Sequence, residues 1–401
     1  MNIQEKEVII KTLLSSLRYS PPGGKWQFLW NPNNPYSFSG GFGFEFYINF
    51  EQQTVASIRA IKCYSNYLNG YSISAVSSLL HKYFESVIVD IGVDELFFPQ
   101  DRNKSVLDFT HPSKFASLVN RLDRFIVENA KPSVYLMPVN GFPCPLALVT
   151  KSIAWVQGDF DLSEILGPFG IQPSFIKNAH FPPIRDTNVR YHRLTGNDSW
   201  FICHAASEAE AESIFKRMVG ALSVILKYPK SRLITDGKMI KGRAKFSNNG
   251  SFTFFDKPSL VPAVGEPIEI TEEMINKFNR LVVIKSNDFR IQVALEYLSD
   301  AWGNTSRLSF INNSIAMDAL FGIDRQVRRS ILTGVENHAV AVTDAKEKYD
   351  LILKIRNGLL HGEYPNIELC PYYLEFFERF KSNPIDEQVI IINACILKLS
   401  E

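Results

Sequence analysis

Cysteine is scarce in this chain: five occur in 401 residues, at Cys63, Cys144, Cys203, Cys370 and Cys395. No two stand in C-x-x-C spacing and no histidine completes a ligand set beside them, which argues against a zinc module and a disulfide scaffold. The expectation is a reduced, cytoplasmic protein with no bound metal and no cofactor. Net charge is scarce as well. Lys and Arg total 43 against 42 Asp and Glu, a formal +1. No whole-chain field therefore draws the protein to nucleic acid or to an anionic membrane, and any such contact has to use local patches. Long apolar runs are missing too. Val389 to Leu397 is interrupted by Asn393 and is far too short to span a bilayer, and the mixed charge of residues 1–7 is not that of a signal peptide. No G-x-x-x-x-G-K-[ST] run occurs, which disfavours a P-loop nucleotide site. Internal repeats and low-complexity segments are absent.

What is present is core-forming material. Apolar residues make up 45% of the chain and aromatics 12%, with 30 Phe, enough for real cores in about two domains. The first two thirds alternate between helical and strand-like stretches. Val8, Ile9, Leu13 and Leu14 mark a helix over residues 4–17, and residues 55–68, 73–87 and 114–129 read the same way. Phe42, Phe44, Phe46, Ile48 and Phe50 repeat every second residue, as in a strand with one buried face. Further strands are expected over 133–137, 146–150, 152–157 and 200–204. Ser207 is placed to cap a helix with acids in its first turns, and Asn248-Asn249-Gly250 marks a hairpin rich in Phe.

Residues 257–267 contain three prolines and a glycine, which neither a helix nor a central strand accommodates. Beyond them the texture is helical throughout, with breaks at Asn287, Gly303, Gly322 and Gly362. The fold class expected is α+β. A mixed α/β domain of unrecognised fold over 1–257, which senses a trigger or selects RNA, is followed by a Pro-rich linker over 258–267 and an all-α bundle over 268–401.

The most informative segment is Lys354 to Glu363, KIRNGLLHGE. It sets Arg356, Asn357 and His361 at the end of a helical run closed by Gly362. Arg grips phosphate with paired donors, and His exchanges a proton near neutral pH. Asn357 and His361, four apart, share a face. That set suits phosphate-ester chemistry. The bland alternative is a cationic helix-end histidine and a solvated arginine.

Tyr349 to Gly362, YDLILKIRNGLLHG, resembles the catalytic helix of HEPN domains, particularly the subgroup similar to the C-terminal domain of ApeA-like antiphage proteins. The segment Ile315 to Phe321 resembles that subgroup's apolar-acid-apolar stretch, with Asp318 where relatives often carry Glu. The likeness covers residues 268–399. It implies a HEPN-like bundle that forms a homodimer, and a metal-independent endoribonuclease whose Arg356 and His361 act in a composite cleft. It also implies that Asn357 orients the imidazole or donates to phosphate, that Asp318 is a supporting acid, and that Gly362 allows close approach of RNA. A defence or toxin-like effector role follows from the same resemblance. The competing expectation is a non-catalytic module that dimerises or docks a partner protein or nucleotide.

Other segments weigh less. Lys227, Lys230, Arg232, Lys238, Lys241, Arg243 and Lys245 gather against one acid, Asp236. On a hairpin they form either a grip for RNA phosphates or an ordinary solvated basic face. Arg185 to His192 also matches an Arg-x-His pattern but follows two prolines and reads as loop. Gly40 to Tyr47 resembles an RNA-binding aromatic strand only superficially and reads as a Phe-rich core strand. His204 is expected in the core or at a strand end, and Glu296, Asp300 and Asp318 as pairing or surface groups rather than metal ligands.

Overall fold

Periodicity and caps govern where the elements begin and stop in the computed structural model. It describes residues 3–20, 29–30, 38–39, 45–48, 52–64, 68, 71, 73, 75–77, 79–84, 86–87, 105–130, 132–144, 148–150, 152–158, 166–167, 185–186, 198–226, 240–247, 252–262, 267–283, 289–302 and 306–401. The class is α+β, as expected. The described residues divide into two compact units, Met1–Pro132 and Ser133–Glu401.

In the first unit, helix α1 (Ile3–Ser16) buries Ile9, Ile10, Leu13 and Leu14, the stripe legible in the sequence. Strand β1 (Leu17–Ser20) pairs antiparallel with β4 (Glu45–Ile48), and β2 (Leu29–Trp30) with β3 (Phe38–Ser39). The Phe42–Phe50 strand is thus present over Glu45–Ile48; its flanks lie outside the described residues. Helix α2 (Gln52–Tyr64) packs on α1, as does α3 (Pro112–Asn129). Pro112 stands in the first turn of α3 and the His111 ring caps its Ser113 N–H.

The second unit is built on an antiparallel sheet. Its strands are β5 (Ser133–Val139), β6 (Leu148–Val149), β7 (Ile153–Gln157), β8 (Arg185–Asp186), β9 (Ser199–Ala205), β10 (Ile240–Phe246) and β11 (Phe252–Pro258). The spatial order is β11-β10-β5-β9-β7-β6, with β8 on β10. Every residue of β5 is buried, so both its faces are covered. Helix α4 (Glu208–Ile225) lies on the sheet through Ala211, Phe215 and Met218, its N-terminus capped by Ser207 accepting from the Glu210 N–H.

Helices alone follow among the described residues. They are α5 (Glu272–Val282), α6 (Phe289–Ala301), α7 (Ser306–Phe321), α8 (Val327–His338), α9 (Ala345–Leu360), α10 (Pro371–Phe380) and α11 (Pro384–Leu399). The change of texture falls at residues 258–271, where the linker was expected. The break in packing does not. Phe278 of α5 sits 4.8 Å from Trp155 and 5.6 Å from Phe201 of the sheet, centroid to centroid. The expected division into 1–257 and 268–401 is therefore corrected to one at Pro132/Ser133. An antiparallel sheet and α4 leave apolar surface that must be covered, and the helices after Pro267 supply the cover in one continuous core.

Helices α4 and α6 cross in close backbone contact. Ser213 donates to Glu296 and Lys216 pairs with Asp300, while Arg217 donates to Gln292. Glu296 and Asp300 are the pairing groups expected. At the crossing Gly220 faces backbone: a Cβ there would lie 2.0 Å from the Leu295 carbonyl oxygen. Backbone cannot step aside as a side chain can. Gly220→Ala is therefore expected to cost at least about 1–3 kcal/mol, the usual range for overpacking. A denaturant midpoint equal to wild type would show the crossing to be looser than this.

Candidate functional site

The candidate site grows from α9. Tyr349, Ile352, Leu353, Ile355 and Leu359 bury one side of it, while Asn357, Leu360 and His361 stay exposed. The helix ends in a closed turn. The His361 N–H donates to the Asn357 carbonyl at 2.9 Å, the Gly362 N–H to Leu359 at 3.4 Å and the Glu363 N–H to Gly358 at 2.9 Å. This is the paired-bond C-cap that needs a left-handed residue, and Gly362 has φ +73°. Open space surrounds Gly362, so its backbone angle, not a close contact, calls for glycine there. Gly358 is different: a Cβ would strike the Tyr364 ring at 2.9 Å.

Arg356 turns inward. Its Nη2 donates to Asp318 Oδ2 on α7 at 2.5 Å, and the two side chains are 20% and 26% exposed. Nη1 lies 3.5 Å from Asn357 Oδ1, while Nε is enclosed with no partner. Nη1, beside Asn357, is thus the edge of the guanidinium left to meet an anion. Burial raises the Asp318 carboxyl above the usual range, more than the adjacent Arg356 lowers it.

Beneath the pair lie polar groups the sequence did not flag. Gln388 of α11 is fully buried and donates from Nε2 to Ser314 Oγ at 2.9 Å and to the Phe310 carbonyl at 3.3 Å, both on α7. The buried Tyr349 hydroxyl lies among Asp318, Gln388 and Cys395; burial, then the Asp318 charge, pushes its pKa well up, so the phenol stays protonated. Gln388 thus ties α11 to α7, while Asp318 Oδ2 holds Arg356 and Asp318 Oδ1 is buried without a partner among the described residues. The one available signal was a glutamine immediately before the apolar stretch Val389 to Leu397.

His361 sits at the C-cap, exposed, and its ring makes no hydrogen bond or ion pair among the described residues. Arg356, Asn357 and His361 stand at the end of α9, with Asp318 of α7 against Arg356, but are presented differently, one cation braced and one imidazole free.

The basic segment fares otherwise. Lys227, Lys230, Arg232 and Lys238 lie outside the described residues, and Lys241 is in β10 opposite Pro258. Arg243 is a correction. A bulge at Gly242, φ +134°, shifts the register between Lys241 and Arg243. The Arg243 side chain is buried, with Nε donating to the Pro258 carbonyl at 2.9 Å and Nη1 to Glu212. It is a brace and has no surface to offer a phosphate. Lys245 is half-buried, 5.6 Å over the Tyr135 ring. His204 stands half-buried on β9, where burial lowers its pKa. Of the Arg185–His192 segment only β8 is described.

Among the described residues no group of three or more His, Cys, Asp or Glu is placed to hold a metal ion, and no helix is long and apolar enough to cross a membrane. Comparison of the chain with protein-family models, with curated proteins and with solved structures finds no match.

Proposed function

We propose that this chain is a metal-independent endoribonuclease. The observation that carries the reading is the end of α9, where a guanidinium braced by Asp318 and an unpartnered imidazole stand within two turns of helix. The imidazole of His361 takes the proton of an RNA 2′-OH. The 2′-oxygen attacks the adjacent phosphorus, the bond to the 5′-oxygen breaks, and that oxygen takes a proton from the imidazolium of a second copy. Nη1 of Arg356 stabilises charge growing on the phosphoryl oxygens. Leu369, Leu374 and Phe377, exposed on and before α10, and Leu360 at the end of α9 supply apolar surface for pairing two copies. A defence or toxin-like role rests on the resemblance of the motif to antiphage proteins.

This mechanism draws its acid, base and nucleophile from two imidazoles and the substrate, and the neighbouring carboxylate, Asp318, is already tied to Arg356. Cleavage is therefore expected to persist in EDTA and to leave a 2′,3′-cyclic phosphate or its opened form, with a 5′-hydroxyl on the other fragment. A substrate carrying deoxyribose at the scissile position should resist. Cleavage of DNA at the same rate, or a requirement for a divalent ion in the chemical step, would overturn the mechanism.

A second reading is a non-catalytic module that docks a partner through its helices. What favours it is that Arg356 already has an internal partner and that apolar side chains are exposed at the end of α9 and on α10. Induced expression separates the two. Growth arrest with RNA breakage, confined to the wild type and missing with His361→Ala, supports the enzyme.

A further inference from the structure

The described residues carry a second charged feature away from Arg356. A groove of about 810 Å³ opens at the start of α8, lined by Arg325, Arg328, Arg329 and Lys346. Arg325 is held outward in a left-handed turn, φ 62°, with its side chain 92% exposed. Three acids stand nearby: Asp324 is 3.7 Å from Arg325, Asp350 accepts twice from Arg328, and Glu336 pairs with Lys346 at 2.6 Å. Such exposed pairs are worth little, because solvent screens them, and phosphate oxygens can exchange for the carboxylates. Arg329 is exposed and has no ion pair among the described residues. The first turn of α8, at the groove, has no side-chain cap, so no side chain offsets the positive end of its dipole there.

The groove does not stand alone. Lys346, Asp350, Lys354, Asn357 and His361 recur every three or four residues along α9, which puts them on one stripe of the helix. From Asp350, which anchors Arg328, to His361 the stripe runs roughly 16 Å at 1.5 Å per residue. Midway, Lys354 lies 5.3 Å over the ring of Tyr372, itself 37% exposed. Asp350, which also lies 4.0 Å from Lys354, is the one acid on the stripe. The lysines beside an accessible ring, ending at a free imidazole, match the way single-stranded nucleic acid is held, charge tracking the backbone and the ring stacking a base. The groove itself has no aromatic lining, so phosphates rather than bases are read there.

We propose that the groove at the start of α8 and the polar stripe of α9 form a track that binds the phosphodiester backbone of single-stranded RNA and leads it to His361. This rests on the ribonuclease reading for the direction of the strand, but the binding is testable without cleavage. The probe is a fluorescein-labelled single-stranded oligouridylate, and the protein is the full chain carrying His361→Ala. Anisotropy titrations over a range of salt are compared with the same protein also carrying Arg325→Gln and Arg329→Gln. Both arginines are exposed, so folding should survive, as thermal unfolding checks.

The expected result is weaker binding and a salt slope shallower by about 1.4, from roughly 0.7 per phosphate contact on a single strand. Unchanged affinity and slope, no binding by the parent protein, or tighter binding of duplex RNA would each overturn the track. The two proposals fail separately. Binding through the arginines by a wild type that cleaves no RNA sinks the ribonuclease and keeps the track. Cleavage with unchanged KM in the Arg325→Gln/Arg329→Gln chain with His361 intact sinks the track and keeps the ribonuclease.

Discussion

His361→Ala is expected to lower RNA turnover by about 10²–10⁴-fold, the range that positioned acid–base groups contribute, and to leave the unfolding midpoint close to wild type. The two halves of this expectation come from one fact: the imidazole is exposed at the C-cap and makes no hydrogen bond or ion pair among the described residues. Little packing is lost with it. The backbone turn also survives, because its bonds come from the His361, Gly362 and Glu363 N–H groups and its angle from Gly362. A histidine kept only to complement the helix dipole predicts the reverse, a small stability change and no effect on RNA. Turnover of a defined oligoribonucleotide, measured beside the denaturation curve of the same preparation, decides. Wild-type turnover in the variant would remove His361 from the chemistry.

Most of the helices were legible because each is announced twice, by a buried stripe and by a cap or breaker. Residues 306–321 and 345–360 lie where their periodicity and Gly322 and Gly362 put them. The domain boundary was misplaced for a physical reason. Prolines report where regular backbone stops, not which surfaces later meet, and Phe278 gives no local sign that it will stack on Phe201. Arg243 was misjudged likewise: a count of charges along residues 227–245 cannot show that the bulge at Gly242 accompanies an inward-facing guanidinium. Within the candidate site, residue types and spacing were readable, but the inward turn of Arg356 was not. That depends on Asp318, 38 residues earlier. The groove at α8 was missed because its cations are shared between the starts of two helices.

Asp318 and Arg356 together allow a test that separates bracing from chemistry. Asp318→Ala leaves a guanidinium largely enclosed, with Nε already lacking a partner. The expected loss is roughly 2 kcal/mol, below the ~3–5 of a fully buried pair because both side chains keep some solvent contact. Replacing both, as Asp318→Leu with Arg356→Met, removes the two charges at once. Apolar substitution of buried pairs is often neutral or stabilising, so the double variant should regain most of that stability. It should also lose a pH dependence. The folded Asp318 carboxyl holds its proton more tightly than an unfolded one, so its contribution is fully present below the ordinary Asp range and is lost as pH rises through the raised value. Wild-type stability should therefore decline across that window relative to the double variant. Activity should follow the other course. If Arg356 meets the phosphoryl oxygens, the stable double variant remains as silent toward RNA as Arg356→Ala. Arg356→Lys, which keeps the charge without the planar fork, should be nearly as impaired. If the pair only closes the bundle, restoring stability restores cleavage, and an active double variant would take Arg356 out of the mechanism.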